Sequence, residues 1–235
     1  MGFLMKQNVV FLTKLRYDRG ISDPSKSSWE YWCKKYNHKL FIHEGENPWL
    51  NLFNVFTILE KNNIEYNKIF IVNGSSIVKW DCPNIFELTD NRLGAWREMG
   101  DLGVIHKSIQ SSNLDIDIFK YVNYGSFIIN KNHKGFFRKY EYNNNDYKDN
   151  ESFQTMINYL LQSNSIDINM DISREYNLNH MLRYDWLSHN WQDGQDKTNF
   201  FIKYAYIWRF DDLDNNKYTD ISSQIWNSIK NQYTI

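Results

Sequence analysis

Lys68-Ile-Phe-Ile-Val-Asn-Gly-Ser-Ser-Ile-Val-Lys-Trp-Asp-Cys-Pro-Asn-Ile-Phe-Glu87 is the stretch on which the fold turns. Lys68 to Val72 is an apolar run of branched and aromatic residues that stops abruptly at Asn73-Gly74-Ser75. A short run of this kind, closed by a turn signal, reads as a strand buried on both faces. Toward the N-terminus, residues 8–13 (Asn-Val-Val-Phe-Leu-Thr) repeat the pattern. After Pro24, Ser27 to Asn37 sets Trp29, Trp32, Cys33 and Tyr36 at helical spacing, with Ser27 or Ser28 as N-cap. Lys39 to His43 reads as another strand, and Pro48 opens a helix with Leu52, Val55, Phe56 and Leu59 on one stripe. Strand, helix, strand, helix, strand implies right-handed crossovers and a mainly parallel sheet. Ligands of open sheets sit beyond the carboxyl ends of the strands, which here points to Thr13, Lys14 and Asn73-Gly74-Ser75.

The second half is more mixed. Tyr121 to Asn130 reads as a strand with Gly125 inside it, where a ligand or another backbone can come close. Residues 141–150 form a polar loop. Ser152 to Gln162 is a helix with Met156, Ile157, Leu160 and Leu161 on its apolar face, and Ser222 to Tyr233 reads as a terminal amphipathic helix. No repeat or linker divides the chain, so the expectation is a single α/β domain over residues 1–235.

Composition excludes several classes. The 27 basic and 28 acidic residues leave a net charge of -1 without long blocks of one sign, which disfavours a nucleic-acid partner. Apolar residues make up 42% and aromatics 17%, enough for a sizeable core. Cys33 and Cys82 have no metal-knuckle spacing and fit a reducing, cytoplasmic setting. The apolar run within Met1 to Arg16 is too short to cross a bilayer.

Five ordered segments resemble the GT-A nucleotide-sugar glycosyltransferases. The Lys68–Glu87 stretch is similar to the strand that enters their Asp-x-Asp motif and the proline that follows. Ser28-Trp29 resembles the start of their nucleotide-binding unit. Tyr121–Asn130 resembles their Asn-x-Gly strand, Phe153-Gln154-Thr155 their Asp-Gln-Thr helix start, and Ala205–Phe210 the place of a C-terminal His. The resemblance implies a Rossmann-type, mostly parallel central sheet flanked by helices. It also implies a nucleotide-sugar donor, UDP- or GDP-linked, and transfer of the sugar to a glycan, protein or small-molecule acceptor. Asn123, Gly125, Asn158 and Trp208 then fall in the donor-binding set, and Gln154 near the reacting centre.

This family usually neutralises the donor diphosphate with Mn²⁺ or Mg²⁺ on hard oxygen ligands and one His. Here those positions are Asn73, Ser75 and Arg209. Amide and hydroxyl oxygens are neutral dipoles and a guanidinium cannot ligate a cation, so the expectation is no bound metal. Arg209, with Lys14, Arg16, Arg97 and Lys203, would supply positive charge instead, aided by the helix dipole near Ser152. Glu98 or Asp101 would serve as base or orienting carboxylate. Two alternatives remain open. Arg209 pairs with Asp211 or Asp212 at the surface, or the chain is an inactive relative that binds or regulates. Phe153 in place of the family's aspartate supports the latter. Asp211-Asp212-Leu213-Asp214 lacks the Gly and Glu of a calcium loop. The six histidines form no metal pair.

Overall fold

The computed structural model describes residues 7–16, 20–98, 102–141, 149–179, 202–210 and 215–234. Its centre is a six-stranded sheet in the order β2-β1-β3-β6-β5-β7. These strands are β1 (Gln7–Thr13), β2 (Lys39–His43), β3 (Tyr66–Asn73), β5 (Leu93–Arg97), β6 (Val122–Asn130) and β7 (Ile168–Asn169). β1 pairs in parallel with β2 and β3, and β5 with β7, while β6 runs antiparallel to both its neighbours. The sheet is therefore mostly parallel, with one strand reversed. A small second sheet has the order β4-β9-β8, from β4 (Ser76–Val78), β8 (Leu178–Asn179) and β9 (Ile207–Arg209).

Strand alternation divides the core into two layers. Val9, Phe11, Ile69 and Ile71 face one side, against α2 (Pro48–Phe53), α3 (Val55–Lys61), α5 (Lys134–Lys139) and α6 (Asn150–Ser163). Val10, Leu12, Phe70 and Val72 face the other, against Trp29 and Trp32 of α1 (Asp23–Lys35). Each such side chain, fully withdrawn from water, contributes roughly 2 kcal/mol. Burial on both faces explains why β1 and β3 show no polar alternation. The small sheet has its own apolar cluster, Ile77, Leu178 and Trp208 against Ile225 and Ile229 of the terminal helix α7 (Asn215–Ile229). Tyr233 closes that cluster. Its hydroxyl donates to Val78 O at 2.7 Å, and its ring packs on Trp226. α4 (Leu102–Ser112) lies beside α6.

Several helix boundaries differ from expectation. α1 begins at Asp23, capped by Ser22, because Pro24 is tolerated in a first turn rather than excluded from the helix. The helix after Pro48 is interrupted at Asn54. α6 begins at Asn150, and the Asp149 carboxylate accepts from Ser152 N at 2.7 Å. A carboxylate thus already caps the N-terminus that was expected to face a diphosphate. α7 starts well before Ser222 and ends at Ile229, followed by a 3-10 turn. Among the described residues no helix is long and apolar enough to cross a membrane.

Candidate functional site

β1, β3 and β5 all end at one edge of the large sheet, and the reversed β6 begins there: Val72 pairs with Ser126, and Arg97 with Val122. The pairing of β5 with β6 slips at this edge, since Ala95 stands against Phe127 but Arg97 against Val122. Four residues of β6, Asn123 to Ser126, stand against Trp96 alone, so the Asn-x-Gly segment is a bulge, a device that re-aims side chains. Asn123 folds back on it, its Oδ1 accepting from Gly125 N at 2.7 Å.

Into this bulge comes Arg209, delivered by β9. Its guanidinium is buried, and Nη1 donates to Asn123 Oδ1 and, at 2.9 Å, to Asn177 Oδ1. Ser126 Oγ donates to the same Asn177 oxygen at 3.1 Å. The Cβ of any larger residue at Gly125 would stand 2.8 Å from Arg209 Cζ. The close approach foreseen at Gly125 is therefore made by a side chain of the same protein. The reading of Arg209 as a surface residue fails for a physical reason: Asn123 of the bulge and Asn177 beside β8 each offer an amide oxygen to its guanidinium in the interior. Asp211 and Asp212 lie outside the described residues.

Glu98 continues the network. Its Oε2 accepts from Asn123 Nδ2 at 2.5 Å and from Gln154 Nε2 at 3.1 Å. Beneath it, Tyr121 shares a hydrogen bond with Thr155, and burial pushes its phenol up to about 12, so it stays protonated. Glu98, Asn123, Asn177 and Arg209 all line one open cavity of 550 Å³. Arg97 and Trp96 complete the β5 side, and Asp171, Arg174 and Glu175 the opposite side. Trp96 Nε1 donates to Ser173 O at 3.1 Å and pins that wall.

The sequence reading missed Asn177 and the whole of this second wall. Arg174–Tyr176 is a single 3-10 turn between two-residue strands, too short for any periodicity. Only proximity to the β9 segment would have singled it out.

The corner at Asn73-Gly74-Ser75 is different in kind. Asn73, Gly74, Ser75 and Ser76 are all buried. Ser22 N donates to Gly74 O at 3.2 Å, and Gly74 N to Thr13 O at 2.8 Å. A Cβ at Gly74 would come within 2.5 Å of Ile21 Cγ1, so the segment before α1 lies directly on this turn. Asn73 Oδ1 accepts from Leu15 N at 3.4 Å, while Asn73 Nδ2 and Ser75 Oγ have no hydrogen-bond partner among the described residues. The β4–β9 pairing sets Ser76 opposite Arg209, and Phe210 N donates to Ser75 O at 3.1 Å. Positions 73, 75 and 209 thus converge, but their chemistry does not suit a divalent cation. An amide, a hydroxyl and a fixed positive charge offer no anionic oxygen. Among the described residues no three His, Cys, Asp or Glu side chains gather as a ligand set.

The remaining candidates are spread out. Thr13 is buried and donates to His43 O at 2.8 Å, and Lys14 pairs with Glu46 at 3.1 Å. Arg16 follows on the same segment. Asn158 bridges both backbone groups of Val122, at 2.7 and 2.9 Å, and so ties α6 to β6. Trp208 is a core residue whose indole donates to Ala205 O at 3.2 Å. Lys203 is exposed, its ammonium 5.0 Å from the Tyr204 ring centre. Asp101 lies outside the described residues.

Neither a protein-family profile nor a curated protein sequence matches the chain. Solved structures do. The chain is similar to a glycosyltransferase involved in the glycosylation of the major capsid of PBCV-1, with 9% identity and a TM-score of 0.58. That likeness covers 93% of this chain and 99% of the other. The glycosyltransferase GlyE of Streptococcus pneumoniae TIGR4 shows 14% identity and a TM-score of 0.48, over 97% of this chain and 63% of GlyE. For the galactosyltransferase LgtC the figures are 12% and 0.44, over 94% and 99%. Identities this low speak for architecture alone. In the arrangement of its sheet and helices, the chain has the GT-A fold.

Proposed function

We propose that this chain binds a nucleotide-diphosphate sugar at the carboxyl edge of its large sheet and transfers the glycosyl group to an acceptor hydroxyl, without a bound divalent metal. The observation that carries the reading is the buried Arg209 guanidinium, held by Asn123 and Asn177 in the wall of a cavity that also holds Glu98. A diphosphate leaving group needs positive charge as its bond to the sugar breaks, and a preorganised guanidinium meets that need in a low-dielectric wall. In the transfer the acceptor oxygen bonds to the anomeric carbon. The bond from that carbon to the diphosphate oxygen breaks, and the diphosphate takes the electron pair. The hydroxyl proton passes to the Glu98 carboxylate, which Gln154 and Asn123 orient. Asp101 is the second candidate for that proton. Lys14, Arg16 and Lys203 are the further cations assigned to the donor or its surroundings. UDP- and GDP-sugars are the donors to try. The whole chain acts as one domain, and its two buried free thiols fit a reducing, cytoplasmic setting.

A second reading has its own observation. Phe153, at the position where the resemblance puts a carboxylate, is a core ring packed on Trp49 and Tyr124. That favours a protein that binds the donor and does not transfer from it.

Calorimetric titration with UDP- and GDP-sugars, in EDTA and again in Mn²⁺, tests both. Binding that is indifferent to EDTA is expected. No heat with any sugar nucleotide would sink the donor reading, and binding that requires Mn²⁺ would sink its metal-free part. Tight binding with no nucleotide release in the presence of diverse glycans would select the second reading.

A further inference from the structure

The cavity carries a second charged feature that the donor leaves unexplained. Arg97 ends β5 on one rim, and Arg174 opens the 3-10 turn on the other. Both are exposed, and both line the cavity that contains Arg209. Neither side chain takes part in an ion pair or a hydrogen bond among the described residues, although Asp171 and Glu175 share the rim. Elsewhere this chain pairs its surface cations readily: Lys26 with Glu44, Arg92 with Asp90, Arg138 with Glu60. Two guanidiniums on the rims of one cavity, neither paired among the described residues, suit a carboxylate or a phosphate.

Their place in the sheet says which ligand they meet. The cavity walls come from β5, β6, β9 and the segment after β7; no residue of β1 or β3 lines it. Arg209, the cation proposed for the donor diphosphate, enters the cavity at the β6 bulge, whereas Arg97 stands on β5 and Arg174 in the segment after β7. The β5 side is therefore left for the acceptor. Three guanidiniums and three carboxylates line the cavity, so its formal charge is balanced. Such a lining matches a ligand that carries both hydroxyls, which donate to carboxylates, and an acid, which accepts from guanidiniums.

We propose that Arg97 and Arg174 grip an acidic group on the acceptor, so that the acceptor class is an anionic carbohydrate, phosphorylated or carboxylated. This rests on the donor reading above for its assignment of Arg209 to the diphosphate.

The test is calorimetry on the full chain at low salt with glucose 6-phosphate, glucuronate and methyl glucoside. Wild type, Arg97→Ala/Arg174→Ala and Arg97→Lys/Arg174→Lys are compared, each first shown by thermal melting to be folded. Wild type should bind at least one acid about tenfold tighter than the neutral glycoside. The alanine pair should lose that preference, and the lysine pair should keep part of it. Which acid binds distinguishes phosphate from carboxylate. Equal binding of all three sugars, no binding of any, or a preference that survives in the alanine pair overturns the proposal. So does loss of nucleotide-sugar binding in the alanine pair with sugar-acid binding intact, because the guanidiniums would then serve the donor. Arginine-dependent acid binding in a protein that ignores every nucleotide sugar would overturn the donor reading and leave the anionic-carbohydrate site standing.

Discussion

The Asn73–Ser76 corner and the Arg209 cavity are built from neighbouring strands, yet they have opposite character. The corner is buried, neutral and covered by Ile21, and its Gly74 amide is already bonded to Thr13 O. The cavity is open and lined by three guanidiniums and three carboxylates. The β4–β9 pairing links the two, since Arg209 starts opposite Ser76 and reaches away from it to the β6 bulge. The comparison teaches that charge at this edge is concentrated on one side. The turn at the ends of β1 and β3 is neutral packing, and the buried cation stands at the β6 bulge.

The contrast can be broken most severely at the corner. Asn73→Asp would put a carboxylate where exposure is zero and no cation is bonded, at a cost on the order of 4 kcal/mol in urea unfolding. An unchanged midpoint, or rescue by Mn²⁺, would mean that the corner admits water and metal after all. Next comes Arg209→Met, which leaves the buried Asn123 and Asn177 oxygens without their guanidinium donor. A loss of about 3 kcal/mol is expected, with weaker nucleotide-sugar binding in the same titrations. Stability loss with undiminished binding would assign Arg209 to the scaffold alone. Gly125→Ala should cost about 2 kcal/mol, because its new methyl meets Arg209 Cζ at 2.8 Å and one of the two must shift. If both stability and binding survive, the guanidinium is less tightly seated than the bulge implies.

The smallest effect tests the general scaffold. Burial lowers the imidazole pKa of His38, His43 and His133 below the ordinary 6.5. The unfolded chain then binds more protons than the folded one, so these groups make stability rise with pH. Their contribution is present above 6.5 and is lost as pH falls below it. Melting temperature should decline from pH 7.5 to 5, and a profile flat over that range would show the rings to be solvated.

The parts of the fold that the sequence made plain were those with a strong local signal. β1 and β3 announce themselves as apolar runs, and α1 and α6 through their stripes. β4, β7, β8 and β9 are two or three residues long and carry no period of their own; tertiary pairing creates them. At the site, Asn123, Gly125, Gln154, Glu98 and Arg209 were singled out and do come together. The meaning of Gly125 was only half legible, because nothing local states that an arginine far along the chain will lie on it. The rim from Asp171 to Asn177 was not legible, since a lone 3-10 turn looks like any loop. Trp208 and Asn158 show the converse limit: a motif position can be filled by a residue whose hydrogen bonds are all internal.

The Tyr233 hydroxyl on Val78 O ties the last turn of the chain to the strand that pairs with β9. Local opening of that strand pair would therefore be gated by the release of a terminal phenol. In hydrogen exchange, the amides of Lys79 and Phe210, which donate across the pair to Tyr206 O and Ser75 O, should speed up together when Tyr233 becomes Phe, while those of β1 and β3 keep their rates. One outlying hydroxyl would then set how long the guanidinium stays in register with the bulge.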